Sequence, residues 1–430
     1  MKKKGTLARL SLLLILALML SFSLSSCLFY GTSGDGGASG GLTEEQVNQM
    51  IENALLGKVE IENVNEYDIT VENGPGANIS AATKAVLSAV SITCEFTLKT
   101  ADIFGRPATS KATAAGSGVI YKLDKAAGDA YIITNYHVVY DASSTTQNGI
   151  SSNIKVYLYG QENAKYAIPA TYVGGSMTQD IAVIKVEGSR VLTESNAAPV
   201  SIANSDDVSI LETAIAIGNP AAGGISATVG CINVDSENVS IEAANGAGSI
   251  ELRLMRVDTA INEGNSGGGL FNDKGELIGI VNAKIISANI DNIAYAIPSN
   301  VAIGVADNII HYCAESNLEN AYKYSIGITM SYAKQYTVYD EESGKVHKRE
   351  VVTVGEISKG SVAQELFKVG DVLKSITIDG VTYEINRMFQ IIDRMNLVYE
   401  GSTLVITVER DGQTLPISVP LDRMTANKVS

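Results

Sequence analysis

The segment Ile261-Asn262-Glu263-Gly264-Asn265-Ser266-Gly267-Gly268-Gly269-Leu270-Phe271 places one hydroxyl among four glycines. Glycines packed this densely mark either a flexible turn or a place where backbone must approach backbone closely. The second reading suits a nucleophile whose neighbouring amide N–H groups stay uncovered, ready to stabilise an oxyanion. Such a serine needs a base, and only three histidines are available. His347 lies in a charged turn among Lys and Glu, and His311 sits beside Ile310 and Tyr312 in a helical pattern. His137 ends the apolar run Tyr131 to Val139, which predicts an imidazole held at a rigid strand end. The third requirement is a carboxylate that fixes the imidazole tautomer. Asp180 heads the apolar strand Ile181 to Val186, where a charge needs a partner. Asp141, four residues after His137, is the alternative.

These residues need scaffolding. Runs rich in Val, Ile and Tyr recur from SITCEFTL (91–98) through GSGVIYKL, AYIITNYHVV, IKVYLYG, IAVIKVEG, AIAIGNP, ISATVGCINV, IELRLMRV and ELIGIVNAKI to IAYAIPS, separated by Gly, Asn, Asp or Ser. This spacing predicts an all-β barrel or sandwich pair, closed by a helix in which Val301, Val305, Ile309 and Tyr312 share a face. Residues 322–424 alternate strand-like runs with helical stretches at SVAQELF and NRMFQIIDRM, the pattern of a small α+β module.

The 430 residues carry a formal charge of −15, and 28 basic against 47 acidic residues, −19, if Lys2, Lys3, Lys4 and Arg9 are removed with a leader. That balance argues against nucleic acid as a partner. The leader is residues 1–27, a basic start, an apolar stretch from Leu10 to Leu20 and small residues before Cys27, the pattern of a secretory signal. Leu24-Ser25-Ser26-Cys27 resembles the bacterial lipobox, which implies lipidation of Cys27. An uncleaved helix over residues 10–30 is the alternative anchor, since that stretch is uncharged and long enough to span a hydrocarbon core of ~30 Å. Residues 28–42 form a Gly/Ser-rich tether, and Thr43 to Leu56 reads as a helix with a capping box at Thr43 and Gln46. Cys94, Cys231 and Cys313 show no metal-like or paired spacing and read as small buried hydrophobes. No cofactor or metal is expected.

TNYHVV, QDIAVIKV and GNSGGGL, in that order and flanked by GSGVI, AIGNP and AIPSN, resemble the His, Asp and Ser motifs of trypsin-fold serine proteases of the HtrA/DegP family. The likeness covers about residues 80–424. It implies two six-stranded β-barrels over 79–316 followed by a PDZ domain over 322–424. By position it implies Ser266 as nucleophile, His137 as base and then acid, Asp180 as orienting residue, and the backbone N–H groups of Gly264 and Ser266 as oxyanion hole. Family members commonly carry proline where this chain has Glu263 and Gly269. Asn265 stands where digestive relatives have an aspartate, so activation by cleavage of a zymogen is not expected. The resemblance also implies an apolar specificity pocket around Ala260, Ile261 and Ile293, with Lys284 on its wall. For the PDZ unit it implies a carboxylate-binding loop at Tyr324, Ser325, Ile326 and Gly327, a receiving strand starting at Ile328, and Met388, Ile391, Ile392 and Met395 divided between groove and core. The implied partners are unfolded or damaged envelope proteins and peptide C-termini, the membrane, and two further copies in a homotrimer. An inert PDZ-bearing scaffold or holdase, and a protease dedicated to one native partner, are the competing readings.

Overall fold

The computed structural model describes residues 82–101, 106–146, 148–283 and 293–429. The leader with Cys27, the tether, the Thr43–Leu56 stretch and Lys284 lie outside the described residues. The strands obey the β-branched pattern. β1 (Ala89–Ala101), β2 (Pro107–Asp124), β3 (Asp129–Thr134), β4 (Asn153–Leu158), β5 (Ile168–Ser176) and β6 (Ile181–Val186) close a barrel in the order 1-2-3-6-5-4. β7 (Thr213–Gly218), β8 (Ser226–Glu242), β9 (Ser249–Val257), β10 (Gly269–Phe271), β11 (Leu277–Asn282) and β12 (Ala294–Pro298) close a second, in the order 10-11-12-9-8-7. Closure removes the exposed strand edges that a twelve-strand array would otherwise present.

Each barrel is filled from its own inward positions: Ile92, Ile120, Ile132 and Ile184 in the first, Ile232, Met255, Leu270 and Val281 in the second. A third apolar layer, including Val119, Ile133, Ile217, Leu254 and Phe271, joins the barrels, and helix α1 (Ser299–Ile309) packs Val301, Val305 and Ile309 onto it. Burying a side chain of this size stabilises by about 1.5–3 kcal/mol, so this layer fixes the spacing of the barrels.

Two strands lacked a legible run. β5 contains Pro169, Gly174 and Gly175, and β10 opens on Gly269 and is only three residues long. The residues 136–139 form a helical turn rather than a continuation of β3, with Asn135 extended before it. Of the cysteines, Cys94 is buried, whereas Cys231 and Cys313 are half-buried, and all three are free. Cys231 Sγ lies 3.4 Å from a carboxylate oxygen of Asp258, a polar neighbour that keeps it near the surface.

The C-terminal region adds β13 (Ala321–Ser325) to β20 (Thr425–Val429) as a two-stranded sheet, so that the region's first and last strands pair. Its main sheet runs β14 (Ile328–Asp340), β15 (Lys345–Ile357), β16 (Val372–Ile378), β18 (Leu404–Arg410), β19 (Gln413–Ser418), with β17 (Val381–Glu384) beside β16. Helix α2 (Met388–Arg394) covers this sheet, and Val354, Ile376, Ile406 and Ile391 fill the space beneath it.

Candidate active site between the barrels

His137 and Asp180 meet although 43 residues separate them. His137 Nδ1 lies 2.7 Å from Asp180 Oδ2, and the His137 backbone N–H donates to Asp180 Oδ1 at 3.1 Å. Ring and turn are thus held by both oxygens of one carboxylate. Asp180 is nearly fully buried and has a left-handed backbone, φ 50°, an arrangement that short polar residues tolerate best. A buried carboxylate needs its lone pairs filled. Asn282 Nδ2, from the second barrel, donates to Oδ2 at 2.8 Å, and Asn135 Nδ2 donates to the Asp180 carbonyl at 2.9 Å. With Nδ1 turned to the carboxylate, Nε2 is the imidazole atom left to accept a proton. In the same turn, burial pushes the Tyr136 phenol up to about 12, and its ring packs against that of Tyr140 with centres 5.1 Å apart.

Ser266 arrives from the second barrel on the loop before β10. Its carbonyl accepts from Ser117 N–H at 2.8 Å, and Ser117 Oγ donates to the Gly264 carbonyl at 2.7 Å while accepting from Asn219 N–H at 2.8 Å. Ser117, on β2 of the first barrel, therefore pins the serine loop across the interface. The glycines follow from this closeness. Gly264 and Gly267 have φ of 95° and 83°, and a Cβ on either would overlap the carbonyls of Asn219 and Ser117, respectively. A Cβ on Gly269 would strike the Phe271 ring, so the glycine that replaces a family proline is itself required by packing. Among the described residues the N–H groups of Gly264 and Ser266 have no hydrogen-bond acceptor. Both N–H groups are thus unspent, as an oxyanion hole requires of its donors.

Ser266 Oγ accepts the Ala283 N–H at 3.1 Å, and among the described residues no hydrogen bond joins it to His137. The alternative carboxylate is elsewhere: Asp141 Oδ1 accepts Ser143 N–H in its own turn. Ala260 is exposed, Ile293 half-buried, and Ile261 packs into the core of the second barrel. Asn282, Asn135 and Ser117 were not picked out in the sequence. The available signal was polarity out of place, since Asn282 closes the otherwise apolar, wholly buried strand Leu277–Asn282.

A concavity of about 820 Å³ lies between α2, the start of β14 and strands β8–β9 of the second barrel. Tyr324, Ser325, Ile326, Gly327 and Ile328 all line it. On α2, Met388, Ile391 and Ile392, with the following Met395, all line it; Ile392 is 49% exposed, whereas Ile391 and Met395 are also buried members of the core beneath, so they serve groove and core at once. One wall is anchored to the barrel by charge. Arg253 on β9 reaches both Asp206 and Asp393, Arg394 bonds Asp206 at 2.9 Å, and the Phe389 ring stacks 3.4 Å from the Arg253 guanidinium. Burial pushes the Asp393 carboxyl up to about 6 even though Arg253 pulls it down.

A family model described as a trypsin-like peptidase domain matches residues 116–280. The serine protease Do-like HtrA of Lactococcus lactis subsp. cremoris is 32% identical over 328 residues, 73% of this chain and 72% of that protein. The chain belongs to the HtrA/DegP family of serine proteases. The protein of the same description in Bacillus subtilis is 31% identical over 319 residues, covering 72% of this chain and 63% of its own length. Among solved structures, an HtrA-type protease AlgW with decapeptide matches 82% of this chain and 98% of that one at 23% identity and a TM-score of 0.47. His137, Asp180 and Ser266, brought to the junction of the two barrels, are the candidate residues for a serine protease's chemistry.

Proposed function

We propose that this HtrA/DegP chain is an endopeptidase in which Ser266 attacks the peptide carbonyl, His137 moves the proton and Asp180 orients His137. On attack, Ser266 Oγ bonds to the carbonyl carbon while its proton passes to His137 Nε2, and the charge on the former carbonyl oxygen falls to the N–H groups of Gly264 and Ser266. Collapse of that intermediate expels the amine, which takes the proton from His137. Water then repeats the sequence to release the acid. Each oxyanion donor is worth roughly 3 kcal/mol of barrier. The observation that carries the reading is the 2.7 Å contact between His137 Nδ1 and Asp180 Oδ2, with Asn282 of the Ser266-bearing barrel bonded to the same carboxylate.

The C-terminal region is read as a PDZ domain whose 820 Å³ groove takes the C-terminus of an unfolded extracytoplasmic protein as an added strand. An exported location fits the secretory pattern of residues 1–27 and the Chlamydia relatives described as probable periplasmic endoproteases. Anchoring is assigned to the leader by its sequence pattern, through lipidated Cys27 or an uncleaved helix; among the described residues no helix is long and apolar enough to cross a membrane. Assembly as a trimer completes the reading.

The bond from Ala283 N–H to Ser266 Oγ favours one rival, a scaffold or holdase in which the serine stays disengaged. Labelling with a fluorophosphonate probe separates the two. The endopeptidase reacts, loses label in Ser266→Ala and His137→Ala, and stops degrading casein in both. A scaffold takes up no label, and neither substitution alters casein.

A further inference from the structure

β14 is an edge strand thirteen residues long, about 44 Å at ~3.4 Å per residue, yet only Ile328, Thr329 and Met330 line the groove. From Ser331 to Asp340 the edge runs on past the groove with nothing paired to its outer side among the described residues. Proteins usually shorten, cover or interrupt such an edge because it templates pairing with another chain. Here the guards are slight: one lysine, Lys334, and a register shift between Tyr332 and Lys334. Tyr332, Tyr336, Val338 and Tyr339 are exposed along it.

The arm is held still from its inner side. Val346 exchanges two hydrogen bonds with Ser209 Oγ, Lys345 bonds Glu212 at 2.9 Å, and Lys348 faces Asp235 at 3.8 Å, all on the second barrel. A rigid, unpaired edge has already met the ordering cost that strand addition demands. One face of the arm is cationic and aromatic. The Lys334 ammonium sits 5.3 Å from the Tyr336 ring centre, Arg349 lies opposite Tyr336, and neither cation has an ion-pair partner among the described residues. We infer that the edge from Ser331 to Asp340 is a second strand-addition site, collinear with the groove, for an unfolded polypeptide tail with alternating acidic and apolar residues. The inference rests on the groove reading above. A tail running antiparallel to β14 places its C-terminus at the Ser325–Gly327 loop and its upstream residues along the arm, so affinity grows with tail length.

The test measures binding of labelled peptides sharing one C-terminal sequence to the full Ser266→Ala chain. Extension from five residues to twelve, with alternating Glu and Val upstream, is expected to tighten Kd tenfold or more. Prolines through the upstream half, which remove the donors of an added strand, return it to the five-residue value. Lys334→Glu with Arg349→Glu weakens the twelve-residue peptide and leaves the five-residue one unchanged. Equal affinities at both lengths overturn the second site while leaving the groove intact. No binding of even the five-residue peptide overturns the groove reading, and the second site with it. Self-association in sedimentation that is lost in Tyr336→Asp assigns the edge to another copy of the chain and overturns the inference as well.

Discussion

The inter-barrel cleft and the C-terminal groove are built by opposite rules. At the barrel junction the key polar groups are tied to partners from other strands: Asp180 takes donors from both barrels, and Ser117 ties the serine loop across the interface. Glycine is forced there because backbones touch. The groove is roomy, half-exposed and lined by side chains that share it between core and surface. Tight construction suits a site that must aim a few atoms, and loose construction suits one that must accept many sequences.

The contrast can be broken by mutation. The largest effect is expected from Asp180→Asn, which keeps the shape but offers His137 an amide where the carboxylate was. kcat should fall by about 10⁴ with little change in Tm, since the wrong tautomer is then favoured. A loss under tenfold would mean that the cleft does not rely on this pairing. Arg253→Ala comes next. It leaves Asp206 and Asp393 buried without their shared cation, a change that typically costs about 3–5 kcal/mol, read as a lower Tm and as looser attachment of α2 by hydrogen exchange. Unchanged exchange in α2 would show that the groove wall stands without its ionic anchor.

Smaller effects sharpen the division within α2. Ile391→Ala, which lines the groove but is buried in the core, should cost about 2–5 kcal/mol of stability. Its exposed neighbour, in Ile392→Ala, should leave Tm in place and weaken peptide binding severalfold; the reverse pattern would exchange groove for core. The smallest effect follows pH. The Asp393 carboxyl, raised to about 6, favours the folded state when protonated. Its stabilising contribution is full below the ordinary carboxylate range near 3.8 and is lost as pH rises through 6. Across that window the wild type should lose Tm relative to Asp393→Asn, and parallel profiles would refute the assignment.

Legibility in the sequence followed the same divide. Barrel strands with an uninterrupted β-branched run were readable, and His137, Asp180 and Ser266 stood out as candidates because each is a chemically distinct residue at the end or turn of an apolar run; the structure brings His137 and Asp180 into contact. β5 and β10 were hidden by proline and glycine, residues that weaken a strand pattern while tertiary pairing sustains the strand. Asn282, Asn135 and Ser117 act through partners 45 to 147 residues away, and no local pattern encodes which carboxylate or carbonyl each will meet. The arm of β14 was visible only as a charged hairpin; its unpaired side emerges from the sheet order.

The positive φ of Asp180 decides which experiments at that position can be interpreted. Asparagine enters left-handed backbone at least as readily as aspartate, so its effect reports chemistry. Valine or isoleucine would force the chain out of that conformation just ahead of β6. A dead enzyme made that way would reveal a displaced strand and say nothing about proton transfer.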